Sequence, residues 1–593
     1  MSCFTFLQSL NNYKIYNDRR NADTKGGAAM TRFTRRKFLC TVPLVLAGCG
    51  GGGGGGDKAS GNGPAVTPPA DKPADPLSPR DPAPADPPPE DPPPQDPPPP
   101  QKNVIQLENE KTEGVTRDWY IEDRDYARLG EIEGYASATS INRGESIRLY
   151  VNTPEPGYTM SVYRIGWYGG AGGRLVAGPI TRAGVVQPLP SVDSVNRLVE
   201  CDWTDPYVLS VPRNEEDPTD WASGIYLVRL RAGVSGKQSY IIFVVRDDER
   251  EAALLFQASV TTYAAYNNWG GYSFYDENSL GNRHAYKLSF NRPYRNPQRP
   301  CDGKGAGDFL SWEHKMLRFA EREGYDVAYT TNIAVHRKPE AVQRYRGFLS
   351  VGHDEYWTRN MRDALEQARD KGVHLAFVGA NAGYWQIRLE PDARLQPDRT
   401  VVCYKYHSAA ADPMYGSNLS LTTLTWRDLA INRPEVTLIG VMYDYNSVDL
   451  DMVMDDCSGW ICAGTDLRRG SVLRGMLGYE VDRVDPLLTP AGTQILASSP
   501  YQAPIDDTAP VPVMEVRYSN MTYYTAASGA GVFATGSMQW NWGLDDFGPW
   551  GDRVNPAVQQ IMRNVLRRFC GLDQEDSGDK MHARTSRHTR IAA

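Results

Sequence analysis

The sequence predicts a mixed fold, a β-sandwich domain followed by an α/β domain on a parallel sheet. Two observations carry this. Residues 103 to 248 hold short alternating segments separated by turn residues, and no helical periodicity competes. From about Ala252, continuous apolar runs alternate with helical spacings, which implies parallel strands covered on both faces. A third observation locates a site. Ser350-Val351-Gly352-His353-Asp354-Glu355-Tyr356-Trp357 follows the apolar run Gly347-Phe348-Leu349, so His353 and Glu355 leave the C-terminal end of a buried strand, where open α/β sheets bind ligands.

The chain has 593 residues and a net charge of −8, with no basic stripe in its folded part, which excludes nucleic acid as an expected partner. Residues 1–49 read as an upstream segment and an export signal. Arg35-Arg36 precede a short apolar run ending in Leu46-Ala47-Gly48-Cys49, which looks like a twin-arginine signal with a lipoprotein cleavage site. Met30 is well placed as the start of translation. The apolar run is too short to remain as a membrane span. The expectation is an exported protein held at a membrane by a lipid on Cys49. Residues 50–102 open with Gly50 to Gly56 and continue rich in Pro, Asp and Ala; such a segment buries too little apolar surface to order itself and reads as a spacer. Residues 572–593 read as a disordered tail.

Between these ends, Ser146–Val151, Thr159–Arg164, Tyr207–Val211, Ile225–Leu230 and Ser239–Val245 are the sandwich strands. Residues 249–571 form the α/β domain. Ala253–Ser259, Tyr325–Tyr329, Phe348–Val351 and Val373–Val378 are its strands; Phe309–Glu323 and Thr358–Asp370 are helices, the second with Met361, Leu365 and Ala368 on one face. The apolar runs Val436–Ile439, Val513–Val516 and Gly531–Ala534 follow, and Ala557–Phe569 is a closing helix. The domain is of the flavodoxin or glutamine-amidotransferase-like kind, although Gly352-His353-Asp354 lacks the Cys of an amidotransferase elbow. Six cysteines follow Cys49, and Cys457 with Cys462 is the expected disulfide in an oxidising compartment.

Three groups of residues could do chemistry. His353 and Glu355 share one face, and Gly379-Ala380-Asn381-Ala382-Gly383-Tyr384-Trp385 leaves the next strand toward the same rim. A Glu there serves as a general base or a hard-metal ligand; the blander alternative is a polar pair capping the helix after Thr358. Thr262 to Asp276 places four tyrosines, Tyr263, Tyr266, Tyr272 and Tyr275, in a loop after the first strand. Phenolates suit a ferric ion; the alternatives are a carbohydrate platform or loop packing. Glu480 and Asp482 form a third, acidic pair of a kind that ordinarily faces solvent.

From about Gly130 to Phe569 the chain resembles the family of the large (β) subunit of N,N-dimethylformamidase. The resemblance rests on Ile132–Ala138, Tyr163–Trp167, Ser223–Tyr226, Thr262–Tyr266, Tyr275-Asp276, Gly352–Tyr356, Gly379–Asn381 with Tyr384-Trp385, Gly478–Glu480 with Asp482, and Ala534–Ser537. It implies a single non-haem Fe(III) held by Tyr266, Tyr275 and Glu355, with Tyr263 as the alternative first ligand. It further implies catalytic roles for Glu480 as base and for His353 and Asn381 in orienting substrate or stabilising an oxyanion. The family's enzyme has a longer insertion between its two ligand tyrosines than the nine-residue spacing here, works with a small α subunit, and is cytoplasmic. The expected function is thus an iron-dependent hydrolase of linear amides, exported and lipid-anchored, with a small amide substrate and a small subunit or a second copy as partner. The competing expectation is a non-catalytic surface lipoprotein that binds glycan or peptide in an aromatic-rich cleft.

Overall fold

A computed structural model of the chain describes residues 101–299, 304–506 and 511–572. The export signal, the spacer up to residue 100, Cys301 and the tail after residue 572 lie outside the described residues. Among the described residues no helix is long and apolar enough to cross a membrane.

The architecture is mixed α/β, with several sheets. The first is six-stranded, in the order Val115–Thr116, Gly173–Ala183, Gly157–Ile165, Gly224–Ala232, Gln238–Arg246, Ser140–Asn142. A second sheet of Glu133–Ala136, Ser146–Asn152 and Tyr207–Ser210 covers one of its faces. Strand alternation explains the near-continuous apolar run Tyr240–Val245. Ile241, Phe243 and Val245 point to the three-stranded sheet, whereas Tyr240, Ile242 and Val244 point to the core shared with the α/β part. Both faces are buried, so both sets of positions are apolar. The short helix Val104–Asn109, capped by Asn103, has no counterpart in the sequence expectations.

The largest sheet has seven strands, in the order Val327–Thr331, Leu254–Ala258, Gly347–Gly352, His374–Gly379, Gly531–Ala534, Met514–Thr525, Gln494–Pro504. The first five run parallel, and the last two add an antiparallel hairpin. The sheet is therefore mixed rather than purely parallel, because Met514–Thr525 leads into Gly531–Ala534 through only five residues, too few for a helical crossover. The helix Arg359–Asp370 starts where expected. Thr358 accepts a hydrogen bond from the Met361 amide, and Met361, Leu365 and Ala368 are buried.

The apolar run Val436–Ile439 forms a single helical turn closed by Gly440 in the left-handed region. Three expectations are corrected. Phe309–Glu323 is not one uniform helix: Phe309–Glu313 is a π-helical turn that leads into an α-helix, His314–Arg322. The tyrosine-bearing segment begins as a helix, Val260–Tyr266, because Val260 to Ala265 are packed on all sides and a loop there would leave buried amides unpaired. Cys457 and Cys462 are free thiols in contact with each other; the turn Trp460–Cys462 folds one sulfur back toward the other and holds the loop by packing.

A buried ionic network ties the first sheet to the α/β part. Arg164 donates to Glu321 at 2.8 Å, with both side chains fully buried. Glu321 also accepts from Tyr329 and Asn109, while Tyr168, which accepts from Arg164, donates to Glu108. Every oxygen of Glu321 is matched, so the charge is tolerated in the interior. Removing one partner of such a pair leaves the other stranded. Glu321→Ala is expected to lower stability by about 3–5 kcal/mol, read from the urea midpoint; a loss under about 1 kcal/mol would show that the network does not hold the two parts together.

Candidate active site

The site begins where two neighbouring parallel strands end. Gly352 pairs with Gly379, and the strands touch so closely that a Cβ on Gly379 would lie 2.0 Å from the Gly352 carbonyl oxygen. Gly352 has a φ of +71°, which turns the chain so that His353 and Glu355 face one side and Asp354 the other. Asp354 is buried and accepts from Gln257 at 2.7 Å, Asn332 at 2.9 Å and Ser350 at 2.9 Å. Those three bonds fix the turn. The Glu355 backbone is pinned as well, its amide donating to Thr262 and its carbonyl accepting from the Trp385 amide.

Around the Glu355 carboxylate the predicted residues come together. Tyr266 donates to it at 2.9 Å, and Tyr275 lies 3.0 and 3.1 Å from its two oxygens. The two phenol rings stack at 4.4 Å, and Tyr356 approaches the Tyr275 hydroxyl at 2.7 Å. His353 Nε2 lies 3.2 Å from Glu355 and 3.2 Å from Glu480, an ion contact shared between two carboxylates and aligned with neither. Glu480 comes from the irregular hairpin of Met442–Val453 with Val472–Arg483, which folds over the strand ends. This acidic pair does not face solvent: Glu480 and Asp482 are both buried. Asn381 stands beyond the adjacent strand with φ +57°, its amide donating to Asp482 at 2.9 Å. Tyr263 does not join the group; its fully buried phenol turns toward Glu313.

The electrostatics follow from burial. Burial pushes both Tyr266 and Tyr275 well above the usual phenol range, and the charge of Glu355 adds to the effect. Burial pulls His353 down, but Glu480 and Glu355 outweigh it and hold the imidazole protonated. Burial would raise Glu355; contact with His353 overrides this and keeps it ionised. Asp482 is pushed up to about 7 by burial, with Glu480 adding to it. Lys405 packs its ammonium on the Tyr275 ring at 3.6 Å from the centroid.

Two phenols and a carboxylate within hydrogen-bond distance of one another form a set of hard oxygen donors. Burial, with the charge of Glu355 adding to it, keeps the phenols protonated, and a metal ion bound at their oxygens would hold them as phenolates. Among the described residues no group of three His, Cys, Asp or Glu forms a metal cage; His353, Glu355 and Glu480 are already an ion triad. A metal here would therefore rest on the phenols. Glu480 Oε2 and Asn381 Oδ1 are buried without a hydrogen-bond partner, beside His353. Such atoms mark the place a ligand's polar groups would satisfy.

Sequence reasoning missed several neighbours. Lys405 and Tyr443 come from segments with no motif, and only the fold brings them close. Asp308 is buried, pushed up to about 7 by burial, and senses the charges of His353, Glu355 and Glu480. No sequence signal marks it, because the π-helical turn that follows has the apolar spacing of an ordinary helix.

A parallel-strand edge carrying buried phenols, carboxylates and an imidazolium concentrates perturbed ionisable groups where α/β sheets bind ligands. The chain belongs to the N,N-dimethylformamidase beta subunit-like, C-terminal family, whose model matches residues 159–555. It is similar to the N,N-dimethylformamidase beta subunit of Alcaligenes sp, 26% identical over 437 residues, covering 63% of this chain and 55% of the relative. It is likewise similar to the beta subunit from Paracoccus aminophilus, 25% identical over 436 residues, with 63% and 55% covered. The chain thus spans about half the length of these curated relatives.

Gly379 makes the strand contact a sharp test. Gly379→Ala is expected to force the two strand ends apart and cost about 1–3 kcal/mol of stability, measured by denaturant unfolding. A variant as stable as the parent would mean that the Gly352–Gly379 contact does not set the site.

Proposed function

We propose that the protein is an iron-dependent hydrolase of C–N bonds in linear amides, with Tyr266, Tyr275 and Glu355 as ligands of one ferric ion. The observation that carries this reading is the convergence of two buried phenols on one buried carboxylate. Its relatives, N,N-dimethylformamidase beta subunits, are by name part of an amidase that acts on a formamide and has a further subunit. A small subunit or a second copy of this chain is the corresponding partner here.

When bound, the metal would supply Lewis acidity toward an amide carbonyl or a water. The remaining work falls to side chains. Glu480 is buried beside the site with one oxygen lacking a donor, and it accepts the proton of the attacking water. His353, held protonated by two carboxylates, keeps Glu480 and Glu355 at a fixed separation and presents positive charge to a developing oxyanion. Asn381, anchored through its backbone to Asp482, offers its side-chain amide to the substrate carbonyl.

With this function go a β-sandwich, a flavodoxin-like α/β domain, and a lipid anchor at Cys49 outside the cytoplasm. The alternative, a glycan- or peptide-binding surface protein, draws support from the aromatic group of Tyr384, Trp385, Tyr406 and Tyr443. Metal content separates the two.

Tyr275→Phe removes one oxygen and keeps the stacking on Tyr266. It is expected to abolish the visible phenolate-to-iron absorption and lower bound iron from about one per chain to under about a tenth, with the unfolding midpoint little changed. Full iron and colour in this variant, or a parent protein that holds no iron, would leave the binding-protein reading. Cys49→Ala is expected to move the protein from the membrane to the soluble fraction of cells; retention on membranes after a salt wash contradicts the anchor.

A further inference from the structure

Lysines and arginines are seldom buried without an oxygen to receive their charge. Eight lie buried among the described residues, and seven obey the rule. Arg143, Arg164, Arg318 and Arg362 pair with Asp247, Glu321, Asp545 and Glu366. Arg292 and Lys315 donate to backbone carbonyls, and Arg399 donates to Asn291 and a carbonyl. Lys405 is the eighth. It is 7% exposed, and its ammonium meets only ring faces: Tyr275 at 3.6 Å, Trp385 at 5.1 Å and Tyr356 at 5.6 Å.

The nearest carboxylate does not complete it. Glu355 makes no ion pair with Lys405 and is already engaged by Tyr266, Tyr275 and His353. Cation–π contact recovers only part of the solvation that a buried ammonium loses. The backbone adds a second oddity, since Lys405 has a φ of +51°, a conformation an L residue adopts at a cost. A strained, buried, unmatched cation one ring away from the Glu355 carboxylate is arranged for an anion that arrives with the ligand. The next residue, Tyr406, is 73% exposed and stands edge-on to Trp385 at 5.0 Å, so the aromatic group around Lys405 borders solvent. A single ammonium between flat aromatic walls suits one carboxylate on a small molecule.

We propose that Lys405 is a substrate-recognition residue, and that the site takes amides bearing a carboxylate, of the N-acyl amino acid class, with Lys405 receiving the carboxylate. This deepens the amidase reading and rests on it for the amide half of the ligand. A neutral formamide would leave Lys405 as unmatched as it is now.

The test uses the purified, metal-loaded full chain and two probes, N-acetylglycine and its methyl ester, with binding followed by calorimetry and turnover followed separately. The parent protein is expected to bind the acid roughly ten- to a hundredfold more tightly than the ester, the range of one charge-assisted hydrogen bond. Lys405→Met is expected to erase that preference and Lys405→Arg to retain part of it. A parent protein with no preference for the acid, or a preference that survives in Lys405→Met, overturns the proposal. The parent comparison decides the matter even if Lys405→Met does not fold. Acid-selective binding without hydrolysis contradicts the amidase reading while upholding the Lys405 subsite; hydrolysis of acid and ester alike does the reverse.

Discussion

A carboxylate cannot be buried at the end of a parallel strand unless donors gather around it, and Glu355 is where this chain meets that requirement. Tyr266 and His353 reach one of its oxygens, and Tyr275 reaches both. Each arrives from a separately anchored element: a helix packed into the core, a turn stacked upon it, and the strand turn set by Gly352 and Asp354. His353 carries the arrangement on to Glu480, and Asp482 carries it to Asn381. The site is therefore one connected network. In the iron-dependent reading proposed above, the same three oxygens would hold the cation.

The scaffold beneath is built for rigidity. The six-stranded sheet is buried on both faces, one against its companion sheet and one against the α/β core. Arg164 and Glu321 lock that junction with every oxygen of Glu321 matched. Behind the site, the stack of Trp312, Trp542 and Trp550 presses the π-helical turn against Gly352, where a Cβ would lie 2.5 Å from Trp312. These contacts hold the strand ends at fixed spacing, which a constellation of convergent side chains needs.

Much of this was legible in the sequence. Continuous apolar runs placed the central strands, a Thr followed by helical spacing placed the helix Arg359–Asp370, and a His and a Glu on one side of a strand end marked the rim. Asn381 was placed on that rim by the same logic. What was not legible depended on tertiary contact. The segment before Tyr266 reads as a loop by composition and is helical because it is enclosed. Glu480 and Asp482 look like a surface pair, and only the hairpin folding over the sheet buries them. Lys405 sits in Tyr404-Lys405-Tyr406-His407, where nothing distinguishes it from a surface lysine. The antiparallel hairpin on the parallel sheet was hidden for a related reason: a strand's direction is set by its connection, not its composition.

The most direct measurement of the central claim is X-ray diffraction from crystals of the purified protein at wavelengths on either side of the iron absorption edge. The account predicts one anomalous peak per chain that appears only above the iron edge, within about 2.0–2.2 Å of the Tyr266 and Tyr275 hydroxyl oxygens and the Glu355 carboxylate. A peak elsewhere, or crystals of active protein with no iron signal at those three side chains, would contradict it.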